Sequence, residues 1–371
     1  MHSLVSSSFP SPESSSSSPP SSALSALGWD ASFAALFTEH AAAGLVPARV
    51  ARVDRGRCDV LTAAGPVRAA SRGPAHSDPA HAVCTGDWAA LRPGPEPDLV
   101  ALLPRRSAIT RAGADRTSRG QVLAANVDTV VVAVCLADAL KAGRIERLLT
   151  LARDSGARPV IALTKLDLAD DSAAAHAEIG ALAPGVDTVA TSSATGEGLD
   201  VLTATLTGTT VLLGPSGAGK STLANALLGQ DRMDTGAVRA ADGKGRHTTV
   251  HRELLVLPGG GVLIDTPGLR GIGLQGAADG VEQVFAEIHE RAQGCAFRDC
   301  THASEPGCAV QEAIAEGQLS ERRLAGYRKL QRESAWAAAR ETARPTGKRS
   351  EFRKAITRHQ RATRRFFDQQ Q

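Results

Sequence analysis

Four runs of consecutive apolar residues organise the middle of the chain: Thr129-Val130-Val131-Val132-Ala133-Val134, Arg158-Pro159-Val160-Ile161-Ala162-Leu163, Thr209-Thr210-Val211-Leu212-Leu213 and Gly261-Val262-Leu263-Ile264. They are short and rich in β-branched residues, which predicts buried strands. A helical pattern follows the third run at Thr222-Leu223-Ala224-Asn225-Ala226-Leu227-Leu228, and Gly198-Leu199-Asp200-Val201-Leu202 starts a short helix before Gly208 breaks into the strand at Thr209. Strands of this kind belong to an open α/β sheet, whose ligands bind at the carboxyl ends of the strands. Upstream, residues 46–103 hold short β-like runs such as Ala48-Arg49-Val50-Ala51-Arg52-Val53 and Leu99-Val100-Ala101-Leu102-Leu103, broken by Gly and Pro. That pattern suits a small β-barrel. The first 25 or so residues are rich in Ser and Pro, with Glu13 but no Lys or Arg, and no apolar run follows. Residues 1–40 therefore read as a disordered segment, neither a secretory signal nor a membrane anchor.

Polar residues at the ends of the strands carry the chemistry. Gly214-Pro215-Ser216-Gly217-Ala218-Gly219-Lys220-Ser221-Thr222 matches a phosphate loop, in which glycines turn backbone N–H groups inward and a helix N-terminus receives the anion. Lys220 would reach the β- and γ-phosphates, and the Ser221 hydroxyl would bind Mg²⁺. Asp265-Thr266-Pro267-Gly268 ends the fourth strand, with Asp265 placed for the Mg²⁺ shell and Gly268 for an N–H to the γ-phosphate; by itself D-T-P-G is also good turn chemistry. Thr164-Lys165-Leu166-Asp167 ends the second strand. The Asp167 carboxylate can accept from guanine N1–H and the exocyclic amine, a donor pair adenine lacks, and this argues against an ATPase. Lys165 would pack its stem along the base, while Thr164 departs from the usual Asn. Thr191-Ser192-Ser193-Ala194 is placed like the loop that backs the base with main-chain N–H groups, which would come from Ser193 and Ala194.

The order of these motifs is informative. The base reader precedes the phosphate loop, and the phosphate loop precedes D-x-x-G, whereas small GTPases run phosphate loop, D-x-x-G, base reader. The chain reads as a circularly permuted GTPase. Lysine occurs only seven times against 35 arginines, yet two of the seven are Lys165 and Lys220, where an ammonium on a flexible stem is needed.

Cysteine usage adds a second site. Of six cysteines, Cys295, Cys300 and Cys308 fall within fourteen residues and flank His302, a donor set for a closed tetrahedral zinc site. Cys135 reads as core, Cys58 and Cys84 as inert thiols; no disulfide framework is suggested, which fits a reducing compartment. The chain of 371 residues carries a formal charge of only +3, but residues 340–371 hold ten Lys or Arg against Glu341, Glu351 and Asp368. Such a segment is a footprint for phosphate backbones or a solvated tail, and Phe352, Phe366 and Phe367 in it would stack on bases or pack a terminal helix.

The permuted order, Gly245-Arg246-His247-Thr248-Thr249 between phosphate loop and D-x-x-G, and Cys295-x4-Cys300-x-His302-x5-Cys308 ahead of an arginine-rich helical segment resemble the ribosome-small-subunit-dependent GTPases of the RsgA type. The resemblance spans residues 46–333. It implies a multidomain chain: an oligonucleotide-binding-like (OB-like) β-barrel at 41–110, a circularly permuted α/β P-loop GTPase at 121–275, a C-terminal zinc-binding helical domain at 276–345 and a basic tail at 346–371. It implies a cytoplasmic, monomeric factor with no membrane partner that acts in late maturation of the small ribosomal subunit, stimulated by that subunit and in contact with its rRNA. The position that carries a water-orienting Gln in Ras-like enzymes is Leu269, so His247 is the local candidate for that role, or else contacts RNA. By analogy with switch threonines Thr249 would ligate Mg²⁺, with Thr248 the alternative. The rival expectation from another class is a non-catalytic rRNA-binding protein holding nucleotide as a structural ligand.

Overall fold

The computed structural model describes residues 21–71, 81–111, 121–233, 252–265 and 277–342. Two helices come first, α1 (Ser21–Ser25) and α2 (Ala31–Ala42). This corrects the expectation of disorder over 1–40 from residue 21 onward. Asp30 caps α2, its carboxylate accepting from the Ser32 and Phe33 N–H groups at 2.9 and 3.1 Å. Phe33 and Phe37 are buried, and Trp29 meets Trp88 edge-on at 4.7 Å between ring centroids. Three aromatics at helical spacing outweigh the Ser-rich composition around them.

The barrel follows. Strands β1 (Val46–Asp54), β2 (Arg57–Thr62), β3 (Gly65–Ala70), β4 (Trp88–Arg92) and β5 (Asp98–Leu102) close in the order β1-β2-β3-β5-β4, as expected of an OB-like barrel. Alternate residues such as Ala48, Val50, Val60, Ala69, Leu91 and Leu99 fill its interior. A hairpin of β6 (Ala108–Arg111) and β7 (Gln121–Ala125), which the apolar pattern does not announce, leads out of it.

The sheet then builds from β8 (Thr129–Cys135), helix α3 (Ala142–Asp154), β9 (Arg158–Thr164), α4 (Ser172–Leu182), β10 (Asp187–Ala190), α5 (Leu199–Thr205), β11 (Thr209–Leu213), α6 (Lys220–Leu228), β12 (Glu253–Val256) and β13 (Val262–Asp265). Its order is β10-β9-β8-β11-β13-β12, parallel except for edge strand β12. All four apolar runs are strands here, and β8, β9 and β11 have almost no exposed residue because helices cover both faces. Cys135 is buried as expected, and so are Cys58 and Cys84, whose thiols burial pushes up to about 12.

Barrel and sheet meet at the amino ends of the parallel strands. Arg49 of β1 is 1% exposed, donates to Thr209 Oγ1 at 2.7 Å and to the Asn126 carbonyl at 3.3 Å, and lies 5.0 Å from the Trp88 ring centroid. Burial lowers its pKa to about 10, so it stays charged. Arg105 pairs with the fully buried Asp87 at 2.6 Å, and Asn126 bridges the Gly86 carbonyl and the Arg106 N–H at 3.0 Å each. Gly86 cannot be replaced, since a Cβ there would lie 2.2 Å from the Ala125 carbonyl oxygen. The barrel is thereby fastened at the ends of the central strands opposite to those that carry the motifs.

After the sheet come α7 (Ala278–Val284), α8 (Ala286–Ala292), α9 (Ala309–Ala315) and α10 (Glu321–Thr342). Helix α7 packs on α3 so closely that a Cβ on Gly280 would sit 2.5 Å from the Thr150 carbonyl oxygen. Helix α10 reaches the same α3 through charge. Glu146 is fully buried between Arg322 and Arg323, each 2.8 Å from its Oε1, and the Arg323 guanidinium lies 4.1 Å from the Phe285 ring centroid.

Candidate nucleotide site and metal centre

Parallel pairing puts the ends of β9, β8, β11 and β13 side by side. The phosphate loop leaves β11 at Gly214, where φ is +153° and a Cβ would lie 2.7 Å from the Ala133 carbonyl oxygen, so only glycine lets the loop cross β8. Gly219, also at positive φ, caps α6, and Lys220 and Ser221 open that helix. The Lys220 ammonium donates to the Pro215 carbonyl at 2.6 Å, which places it over its own loop. Ser216, Gly217, Ser221 and Thr222 face solvent, whereas Ala218 is buried beneath them. Asp265 ends β13, the neighbour of β11, and so stands beside the end of the strand that enters the loop.

The residues expected to read the base join from the other side. The Thr164 hydroxyl donates to the Ala218 carbonyl at 2.9 Å, tying the end of β9 to the phosphate loop. A hydroxyl thus spans the gap in place of the longer Asn amide. Lys165 adopts φ +60°, turning the chain so that Asp167 is exposed at the strand end. Ser192, which the sequence places only within a Ser-rich run, proves central: its hydroxyl donates to Asp167 Oδ1 at 2.5 Å and accepts from the Ala194 and Thr195 N–H groups at 3.3 and 3.2 Å. Ser193 and Ala194 lie in the same turn, partly and fully exposed. The result is a carboxylate with Oδ1 fixed at the end of β9, a strand that Thr164 ties to the phosphate loop. A solvent-open hollow flanks the loop at Pro215, lined by Cys135, Asp138, Lys141 and Arg144. His247, Thr249 and Gly268, with Thr248 and Leu269, lie outside the described residues.

The metal centre is a tight loop between α8 and α9. Cys308 Sγ and Cys295 Sγ lie 3.5 and 3.6 Å from His302 Nδ1 and 3.9 Å from each other, and with Cys300 all four ligand atoms fall within 4.8 Å. A tetrahedron with metal–sulfur bonds of about 2.3 Å has edges of about 3.8 Å, so the set fits one four-coordinate cation with no open position. The backbone is shaped to this end. His302 takes φ +60°, Ala296 N–H donates to the Gly307 carbonyl at 3.0 Å, and the Glu305 carboxylate accepts from the Thr301 and Ala303 N–H groups at 2.9 and 2.8 Å. The Gln311 amide holds the His302 carbonyl. Burial first, then the Arg328 charge, lowers the His302 pKa, which keeps the imidazole in its neutral, ligating form at pH 7.

Comparison with known proteins agrees with this geometry. The family model for the RsgA GTPase matches residues 102–275. The small ribosomal subunit biogenesis GTPase RsgA of Streptomyces coelicolor is 56% identical over 342 residues, covering 91% of this chain and 93% of that protein. Its counterpart in Opitutus terrae is 45% identical, covering 85% and 91%. Among solved structures, YjeQ from Thermotoga maritima superposes with a TM-score of 0.59 at 25% identity, over 78% of this chain and 98% of that one. YloQ, a circularly permuted GTPase, gives a TM-score of 0.56 at 22% identity over 78% and 94%, which speaks for the fold. Permuted strand order, a carboxylate set at the end of β9 beside a phosphate loop, a three-cysteine, one-histidine centre and identity of 56% along nine-tenths of both chains place this chain in the RsgA family of GTPases.

Proposed function

We propose that this protein hydrolyses GTP to GDP and phosphate in the late maturation of the small ribosomal subunit, in the cytoplasm, as a monomer that binds the subunit through its rRNA. The observation that carries the nucleotide choice is the Ser192–Asp167 bond of 2.5 Å, which steadies at the strand end a carboxylate able to accept from guanine's N1–H and amine. Relatives named as small ribosomal subunit biogenesis GTPases along nine-tenths of the chain support the subunit. No helix among the described residues is long and apolar enough to cross a membrane.

In this reading the loop Gly214, Pro215, Ser216, Gly217, Ala218, Gly219, Lys220, Ser221 and Thr222 wraps the phosphates, with backbone N–H donors from its residues other than Pro215. The Lys220 ammonium leaves the Pro215 carbonyl for the β- and γ-phosphates, so a hydrogen bond is exchanged rather than created. Ser221, Asp265 and Thr249 would hold Mg²⁺, which would supply positive charge to the phosphate oxygens. Gly268 donates its N–H to the γ-phosphate, and His247 positions the attacking water in place of the missing glutamine. Thr164, Lys165, Ser193 and Ala194 complete the base pocket. The cation at Cys295, Cys300, His302 and Cys308 is structural zinc, which three thiolates and an imidazole favour.

Single-turnover GTP hydrolysis with and without purified small subunits tests the proposal. Equal rates would exclude a subunit-coupled enzyme, and a rise with large subunits would move the target. Lys220→Ala is expected to lower the stimulated rate about a hundredfold or more, as for loss of a transition-state donor. His247→Ala should reduce stimulation with GTP affinity near normal; full activity would assign the water to another group. Asp167→Asn should weaken GTP binding and admit xanthosine triphosphate, because the amide offers a donor opposite the exchanged base edge. Unchanged GTP affinity in equilibrium titration would remove Asp167 from the pocket.

A further inference from the structure

Helix α3 reaches both candidate sites. At its start, Lys141 and Arg144 are exposed and line the hollow beside Pro215 of the phosphate loop, together with Asp138. About one turn further on, two consecutive residues grip the C-terminal helix. Glu146 holds Arg322 and Arg323 at 2.8 Å each, and Arg147 donates to Glu333 Oε2 at 2.6 Å. Arg323 and Glu333 stand about 15 Å apart along the axis of α10, so that helix is held at two points and cannot pivot about either. Between them Gly326 brings α10 against α3, where a Cβ would lie 2.8 Å from Glu146 Oε2. Apolar packing completes the joint, since Ile145 and Leu149 of α3 share one buried cluster with Phe285, Leu324 and Tyr327. Arg328 in turn ties α10 to the metal loop, donating to the Thr301 carbonyl at 3.2 Å.

We infer that α3 is a lever through which the nucleotide and the C-terminal metal unit sense one another, with Glu146, Arg147, Arg323 and Glu333 as positioning residues that act through it. The inference rests on the GTPase reading above and names a regulation of that site. A nucleoside triphosphate in the loop brings negative charge beside Lys141 and Arg144, and a diphosphate brings less. The start of α3 is therefore drawn toward the loop more strongly in the triphosphate state. Arg144 and Arg147 are three residues apart and share a side of the helix, about 4.5 Å apart along its axis. A shift of the first carries the second, and with it Glu333. Close-packed helices move as units rather than deform, so the shift arrives at α10 and the metal loop. The coupling is reciprocal: whatever holds the metal unit in the shifted position favours GTP over GDP by the same factor.

The test uses the full-length, metal-loaded protein alone, with amide hydrogen exchange followed over residues 295–342 in the presence of GDP or of the non-hydrolysable analogue guanosine 5′-(β,γ-imido)triphosphate. Exchange at the metal loop and α10 should differ between the two nucleotides about fivefold or more, the lower end of the usual coupling between sites. Arg147 and Glu333 are each about a third exposed, so Arg147→Ala and Glu333→Ala should cost little stability. Both should abolish the difference while binding each nucleotide as the parent does. The reversed pair, Arg147→Glu with Glu333→Arg, should recover most of it, which a loss of packing alone would not allow. Equal exchange in the two nucleotide states of the parent overturns the inference. So does a full difference surviving in both alanine variants, which would leave the chain after Asp265 as the route, and so does a reversed pair that recovers nothing. A difference that needs the pair, in a protein whose hydrolysis ignores small subunits, would overturn the ribosomal reading and leave the lever standing.

Discussion

Replacing Cys308 by serine is expected to release the metal and unfold the loop from Cys295 to α9 while the GTPase sheet still binds nucleotide. The helix itself should not suffer from the substitution. Cys308 is the N-cap of α9, with extended backbone and no side-chain cap bond, and serine is among the preferred N-cap residues. What is lost is one of four ligands in a closed site. Structural zinc contributes about 10 kcal/mol or more of folding free energy, and the loop has little else to hold it: Cys308 and the His302 ring are its main buried groups, while Phe297 faces solvent. Acid should mimic the variant, because the thiols and the imidazole must give up protons to bind, so affinity falls as pH falls. Elemental analysis and proteolysis of the segment check this. A full zinc equivalent retained by Cys308→Ser would place the metal elsewhere.

Glu146→Ala is expected to cost about 3 kcal/mol or more of stability, the usual penalty for removing one partner of a buried ion pair. Glu146 is fully buried, and its carboxylate holds Arg322 and Arg323 of α10. Arg323 is itself 5% exposed, so the variant strands a cation out of water, partly relieved by Glu287 at 2.6 Å and the Val284 carbonyl. Arg322 is half exposed and loses little. The double variant Glu146→Met, Arg323→Met should recover much of the loss, since apolar pairs of similar volume often replace buried ion pairs at no cost. Denaturant unfolding of the single and double variants measures both. If Glu146→Ala unfolds at the wild-type midpoint, the pair does not hold α10 to α3. The contact also matters for coupling. Lys141, the N-cap of α3, and Arg144 in its first turn line the hollow beside Pro215 of the phosphate loop, and Glu146 lies on the same helix, so α3 joins the candidate nucleotide site to the C-terminal helices by a rigid element as well as by the chain after Asp265.

Much of this protein was legible in the order of its residues. Strands buried on both faces must be continuous apolar runs, and β8, β9, β11 and β13 are where such runs lie. A phosphate loop and a metal loop are built from neighbours in the chain, because backbone amides and clustered thiols act over a few residues; motif spacing and the permuted order followed from that. Other features needed the tertiary structure. Nothing in the residues around Arg49 and Glu146 names their partners, which are Thr209, 160 positions away, and Arg323, 177 positions away; only the packing of barrel and helices on the sheet buries them. Ser192 looked like one serine in a polar run until β9 and β10, paired in parallel, brought its hydroxyl to Asp167. Helix α2 escaped a compositional reading because its stability comes from Trp88, a residue of the barrel. Local chemistry is written along the chain, whereas the burial of a charge depends on which distant element covers it.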